Sequence, residues 1–335
     1  MVSVLDVAKL ARVSTATVSR VLSGSPLVRA ETRAKVLKVA QELGYHPNSF
    51  ARNLRKGRGS SVALVAGDIE HGIYPSLARH LQSELEQLGL TLVLYNLGHQ
   101  PERLHRVISQ AAAMGLRGLL LASADVADMD VMKPLVAKAR HTGVAILSVS
   151  QRLEDFGIDS IVHDDRAGAA MAVEYLAGRG RRRIAFLGRI SPSMVGRERA
   201  RGYAEGLEKA GLPPYPELVW DILDTFRGEA GYQMTLRALD AGIKFDAIVA
   251  ASDELASGAI AALHDRNYAV PEDVAVTGFA GLDWGNYIRP ALTSVRLDVA
   301  TLAHEARQWL EAYESGASRP SLVLVRPELV LRGST

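Results

Sequence analysis

Two groups of residues have types and spacing that suit binding chemistry. Near the N-terminus, Thr15, Ala16, Ser19 and Arg20 share one arc of a helix predicted over Thr15–Leu22. Val18, Val21 and Leu22 fall on a different arc, at i, i+3, i+4 spacing, and would pack inward. A guanidinium makes a bidentate contact with guanine O6/N7. Threonine and alanine methyls meet the thymine methyl, and a serine hydroxyl reaches phosphate. The strip therefore suits a DNA major groove; the competing reading is a small helical bundle with a solvated face. The second group follows the ends of predicted strands: Asp68, Ile73 and Tyr74; Ser123 and Asp125; Ser150, Gln151 and Arg152; Ser191, Arg197 and Arg199; Phe226; Ser252 and Asp253. Ligands of doubly wound sheets lie at those strand ends. Catalytic spacings are missing: no HExxH, no GxSxG elbow and no GxxxxGK[ST] loop occurs. Asp164-Asp165 is a poor acid/base dyad, because neighbours on a strand point to opposite faces, and a turn or lobe-closing role is expected instead.

The elements that must position these residues fall into two patterns. The first 46 residues read as three short helices. Ser3 and Asp6 form a capping-box start, Ser14 caps the second helix, and the third runs from about Thr32 to Leu43. Gly24, Ser25 and Pro26 close the second. A two-turn segment, Ala51–Lys56, follows Pro47; a helix that short is marginal alone in water and needs a docking partner. From Ser61 onward, short continuously apolar runs, beginning with Val62–Ala66, Thr91–Tyr95 and Gly118–Ala122, alternate with amphipathic helical segments. Nine such strands point to two parallel-sheet lobes of about five strands each, covered by helices on both faces.

Composition agrees with a soluble globular chain of about two domains: 335 residues, 48% hydrophobic and 23% charged. The absence of cysteine excludes disulfides, thiolate nucleophiles and cysteine metal sites. No apolar run reaches membrane-spanning length, and Asp6, Lys9 and Arg12 break any signal-peptide core, so a cytoplasmic protein is expected. The net charge of +2 hides an asymmetry: residues 1–58 carry 11 basic and three acidic side chains, and the rest carries 28 basic and 34 acidic. A basic head on a mildly acidic body suits contact with a polyanion.

Val4–Leu22, with its Asp6-Val7-Ala8 and Thr15-Ala16-Thr17-Val18-Ser19-Arg20 runs, resembles the head of the lactose/galactose-repressor family. So do Gly44-Tyr45-His46-Pro47-Asn48 with Ala51-Arg52-Asn53-Leu54-Arg55, and, in the core, Asp164-Asp165-Arg166, Arg199-Ala200-Arg201-Gly202-Tyr203, Val270–Phe279 and Pro290–Val295. The resemblance spans nearly the whole chain. It implies a transcription regulator, most plainly a repressor: a homodimer reading a pseudo-palindromic operator in double-stranded DNA. A helix-turn-helix head at 1–47 and a hinge at 48–59 would precede a core at 60–335 of the type I periplasmic-binding-protein kind. In that core an N-lobe (60–160 and 291–320) faces a C-lobe (161–290 and 321–332). Carried over, Thr15, Ala16 and Arg20 become base readers, and Ser14, Thr17, Ser19, Asn48 and Ala51 further DNA contacts. Leu54 becomes the wedge pushed into the minor groove. Ile73, Tyr74, Ser123, Arg199, Phe226 and Asp253 become effector ligands. Alternatives stay open for four of these: Asp253 as a helix N-cap, Phe226 as core, Arg199 as a surface salt bridge, Tyr74 as lobe packing.

Two departures bear on the effector. The family often carries Asp after its Gly-Phe pair, and often Asp-Arg after the fourth strand; this chain has Ala280-Gly281 and Ser150-Gln151. Asp283 or Trp284 is the substitute from the same loop. Losing carboxylates while keeping Arg197, Arg199 and Arg189 would make the cleft less negative, so the expected effector is sugar-like or anionic, such as a sugar phosphate. No cofactor, no metal and no enzymatic activity are expected, and no heptad tail suggests a tetramer. A periplasmic binding protein or a sugar-processing enzyme is the rival reading, separable by a turnover assay.

Overall fold

The computed structural model describes residues 3–22, 27–44 and 59–335, which divide into two units, Met1–Ser60 and Ser61–Thr335. In the first unit, α1 (Val4–Ala11) begins at a capping box. Asp6 N–H donates to Ser3 Oγ, while the N–H and hydroxyl of Ser3 donate to the Asp6 carboxylate. Arg12 ends the helix in left-handed backbone, φ 55°. Ser14 then caps α2 (Thr15–Leu22), its Oγ accepting the Thr17 N–H at 3.1 Å. α3 (Ala30–Glu42) starts slightly before the expected position. The three helices close over Val7, Ala11, Val18, Val21, Val36 and Val39. The Gly24–Pro26 stop and the Ala51–Lys56 segment lie outside the described residues.

The second unit alternates strand and helix. Its first lobe runs β1 (Ser61–Ala66), α4 (Ile73–Glu86), β2 (Thr91–Asn96), α5 (Pro101–Gln110), β3 (Leu116–Ala122), α6 (Met129–His141), β4 (Ala145–Ser148) and β5 (Ser160–His163). The second lobe continues with α7 (Asp165–Gly178), β6 (Ile184–Gly188), α8 (Met194–Lys209), β7 (Val219–Asp221), α9 (Gly228–Asp240), β8 (Ala247–Ala250), α10 (Asp253–Asp265), β9 (Ala275–Ala280) and β10 (Thr293–Arg296). α11 (Val299–Ser315), β11 (Leu322–Val325) and β12 (Glu328–Val330) complete the chain. The described strands form two six-stranded sheets, β11-β5-β4-β3-β1-β2 and β12-β10-β9-β8-β6-β7. All pairings are parallel except β10 with β12. Strand periodicity sends alternate residues to opposite faces. Val62, Leu64 and Ala66 join one core layer while Ala63 and Val65 join the other, and Ile184 and Phe186 are likewise separated from Ala185 and Leu187.

The lobe boundaries differ from the expected ones. The first crossing, after His163, falls close to the expected position near 160, and the later ones differ. β10 lies in the second sheet, so 291–296 is not part of the first lobe. β11 lies in the first sheet, so 321–325 is not part of the second; only β12 returns there. These strands are three or four residues long, too short for a periodic signal, and hydrogen bonding to a distant partner decides their lobe.

Glycines allow two helix pairs in the second lobe to touch backbone to backbone. A Cβ at Gly202 would stand 2.0 Å from the Arg166 carbonyl oxygen, and one at Gly258 would stand 1.9 Å from that of Gly228. These contacts lock α8 on α7 and α10 on α9.

Candidate functional site

On α2, Ser14, Thr15, Ala16, Ser19 and Arg20 are exposed, Val18 and Val21 are buried, and Thr17 is half-buried. The polar arc therefore faces outward as its spacing predicts. Thr17 is also engaged locally, its Oγ1 lying 2.9 Å from Ser14 Oγ. Asn48, Ala51 and Leu54 lie outside the described residues.

In the core unit, the C-terminal ends of the two sheets face each other across a cleft, as the doubly wound architecture requires. Its central chamber, open to solvent at its mouth, spans about 640 Å³ with that open space included. Ile73, Tyr74, Arg199 and Phe226 line it, together with His71, His163 and Asp165. Val149, Leu297, Val299 and Leu302 supply an apolar wall. A second chamber, sharing His71, Tyr74 and Phe226, adds Asp68, His99, Asp125, Arg227 and Glu254. A third opens past Ser150, Gln151, His163 and Asp165.

Of the residues expected in the cleft, Arg199 lines it as expected, whereas Asp253 and Ser123 do not line the three chambers. Arg199 is not a surface salt bridge. It is buried, with Nε 2.7 Å from Asp165 Oδ1, a further hydrogen bond to the Ala251 carbonyl, and its guanidinium 3.9 Å over the Phe279 ring. Asp253 neither lines the cleft nor caps α10. Ser252 is the cap, its Oγ accepting the Leu255 N–H, whereas Asp253 is wholly buried. Its Oδ2 accepts the Leu282 N–H at 2.6 Å, and its Oδ1 accepts from the Ser294 hydroxyl. Burial pushes its carboxyl up to about 6, against those hydrogen bonds. Its work is to hold the loop after β9. Ser123 also stays out of the lining: its hydroxyl donates to Asp125 and its carbonyl accepts from Gln151 Nε2 at 2.9 Å. The Asp164-Asp165 pair is not on a strand, because β5 ends at His163, and the turn into α7 separates the two side chains. Asp164 caps α7 through the Ala167 N–H, and Asp165 turns into the cleft toward Arg199.

The reasoning from lost carboxylates is corrected by the geometry. Arg189 Nη1 donates to Asp125 Oδ1 at 2.6 Å, Arg227 pairs with Asp68 and Glu70, and Arg199 pairs with Asp165. Burial works against the charged form of Asp125, but His99 and Arg189 outweigh it and hold its carboxyl below the ordinary value. Arg189, Arg199 and Arg227 are thus matched by carboxylates in place, whereas Arg197 lies outside the three chambers and donates to the Ser191 carbonyl. Neither Asp283 nor Trp284 lines any of these three chambers in place of the missing acid. Ala280 does, with φ 127°, a backbone region that non-glycine residues rarely adopt.

His71, His99, His163 and Glu254 were not legible in sequence. A lone histidine in a loop or at a strand end, or a glutamate in a first helical turn, carries no signal until its element is placed. Burial pushes the imidazoles of His71 and His163 below the ordinary value, and burial pushes the Tyr74 phenol well up. His71 Nδ1, His163 Nε2, Arg189 Nε and Glu254 Oε2 are all buried without a hydrogen-bond partner in the protein.

A helical head with an outward polar strip, joined in one chain to a two-lobed core with a cleft at its strand ends, defines a ligand-responsive regulator. Residues 3–48 match the family described as bacterial regulatory proteins, lacI family, and residues 173–335 match the periplasmic binding protein-like domain. The transcriptional regulator GalR of Escherichia coli K12 is 30% identical over 344 residues, covering 100% of this chain and 96% of the relative. The lac repressor dimer bound to operator and the anti-inducer ONPF superposes with a TM-score of 0.88 at 25% identity, covering 99% of this chain and 98% of that one. The CelR–cellobiose complex gives 0.73 at 27% identity, with 100% of both chains covered. The chain belongs to the lacI family of bacterial regulatory proteins. No helix among the described residues is long and apolar enough to cross a membrane.

Proposed function

We propose that this regulator is a dimeric repressor whose operator affinity is set by a neutral, hydroxyl-rich effector bound between the lobes. The observation that carries the ligand class is the make-up of the cleft. Aromatic rings of Tyr74 and Phe226 offer surfaces to the C–H faces of a sugar. Beside them stand partnerless donors and acceptors of both kinds, with the arginines already matched by carboxylates. A hydroxyl both donates and accepts, so a polyol satisfies such a mixture, whereas a phosphate would compete with Asp125 and Asp165 for their arginines. The cellobiose complex of the relative CelR supports the same class.

For the head, we assign Ser14, Thr15, Ala16, Ser19 and Arg20 to the major groove, with Thr17 bracing the helix start. The family resemblance assigns Asn48, Ala51 and Leu54 to the hinge. Effector binding changes the fit of the lobes and so the affinity of the paired heads. Coupling of about 1–3 kcal/mol would change operator affinity about 5- to 150-fold, and operator would change effector affinity by the same factor.

The test selects genomic fragments with purified protein at near-physiological salt, then titrates the recovered pseudo-palindrome with cellobiose, D-galactose and glucose 6-phosphate. Release or tightening by a neutral sugar supports the reading. A response to the phosphate alone overturns the ligand class, and failure to enrich any palindrome overturns the operator.

A further inference from the structure

One wall of the cleft is shared by the two lobes. Glu254, in the first turn of α10, reaches from the second lobe to the start of α4 in the first, where its Oε1 accepts the Gly72 N–H at 2.8 Å. Its other oxygen, Oε2, is shut from solvent and has no partner in the protein. His71 stands beside it: Nδ1 lies 3.4 Å from Glu254 Oε1 without hydrogen-bond alignment and is likewise shut off and partnerless. The imidazole is held in place by two rings, edge-on to Tyr74 at 5.9 Å and to Phe226 at 5.3 Å between centroids. Glycine at 72 permits this approach, since a Cβ there would come within 2.6 Å of the Leu282 side chain and 3.2 Å of Glu254 Oε1. A buried carboxylate oxygen with no donor is costly, and one that lies beside a lined cavity is matched by whatever fills the cavity.

We propose that His71 and Glu254 are effector ligands: a donor group on the bound molecule, hydroxyl or amino, donates to Glu254 Oε2 and lies against His71 Nδ1, so that the occupied cleft clamps one lobe to the other. The inference rests on the sugar reading above and adds its polar contact. Glu254 accepts only, so this end of the molecule must donate. His71 is kept neutral by burial, and its Nδ1 either accepts or donates. A hydroxyl meets both tautomers; an amino group, protonated, meets only the accepting one and is drawn further by Asp68 and Asp125 on the same chamber. An anionic group at this end would face Glu254 and Asp68 directly.

The test uses the full-length protein and four probes, cellobiose, D-galactose, D-glucose and D-glucosamine, followed by calorimetry and by their effect on operator binding. Glu254→Gln keeps the side chain's shape and an oxygen for Gly72 but removes the charged acceptor; His71→Phe keeps the ring packing and removes both nitrogens. Glu254→Gln is expected to weaken the sugar that binds the wild type by about 10- to 150-fold, as loss of a hydrogen bond to a charged group does, and His71→Phe by about 2- to 13-fold, as loss of a bond to a neutral group does. D-glucosamine binding more tightly than D-glucose assigns the donor as amino, and the reverse assigns it as hydroxyl; either order, with the loss, supports the proposal. Hydrogen exchange in the ligand-free protein adds an independent readout: Glu254→Ala should speed exchange over residues 71–76. Undiminished sugar binding in both variants, or unchanged exchange in Glu254→Ala, overturns the inference and leaves the sugar cleft standing. Failure of every probe to bind the wild type overturns the sugar reading, and this inference with it.

Discussion

Replacing Asp165 by Asn removes the charge that balances Arg199 while keeping the side chain's volume. Both residues are buried, at 8% and 7% exposure, and the pair closes at 2.7 Å. Deleting one member of a buried pair leaves the other charge uncompensated, which costs about 3–5 kcal/mol. Arg199 retains the Ala251 carbonyl and the face of Phe279, so the low end, about 3 kcal/mol, is expected here. At roughly 2–4 °C per kcal/mol for a large domain, melting should fall by about 6–12 °C. Urea unfolding followed by tryptophan fluorescence measures it cleanly, because the three tryptophans, Trp220, Trp284 and Trp309, all lie in the core unit and the signal ignores the head. The double variant Asp165→Leu, Arg199→Met should recover most of the loss, since apolar replacement of a buried pair is often neutral or better. A cost below about 1 kcal/mol for Asp165→Asn, the usual worth of a surface pair, would refute the reasoning. It would mean that water reaches the guanidinium and that Arg199 is the surface ion pair its sequence context also allowed.

Other outcomes follow from single residues. The Asp253 carboxyl titrates at about 6 in the fold against an ordinary value of 3.8, so the folded protein holds a proton that the unfolded chain releases. Its contribution is therefore full below about pH 3.8 and is lost as pH rises through 6, a change on the order of 3 kcal/mol. Urea midpoints from pH 4 to 7 should show a flatter profile in Asp253→Asn than in wild type, and parallel profiles would count against the burial argument. Gly202→Ala should destabilise the core by about 1–3 kcal/mol despite alanine's better helix propensity, because its Cβ would stand 2.0 Å from the Arg166 carbonyl oxygen. A raised urea midpoint would show that α7 and α8 part at little cost. Arg20→Ala should cost about 1–3 kcal/mol at one operator base pair and relax specificity there. Equal weakening across all sequences, with a shallower salt slope, would reassign Arg20 to phosphate.

The head was legible because its signals are local. Ser3 with Asp6, and Ser14 before Thr15, are caps that act within three residues, and a two-faced helix declares its inward side through spacing alone. The core's architecture was legible for a related reason: strands buried on both faces must be continuously apolar, and helices covering them must be amphipathic. Tyr74, Phe226 and Arg199 could be placed near the cleft because strand ends are where such sheets bind.

The sequence by itself determined the two-part organisation, the outward strip on α2, the alternating core and the family. Tertiary structure alone decided how the acids and bases pair. Asp253 and Glu254 are neighbours at one helix start, yet the first is sealed under the Leu282 loop and the second crosses to the other lobe. Arg199 and Asp165 are far apart in the chain, and nothing in either's surroundings shows that they meet. The short strands β10, β11 and β12 went unread for the same reason. Local propensity is set by neighbours along the chain, whereas charge pairing, strand partnership and the shape of a cleft are set by neighbours in space.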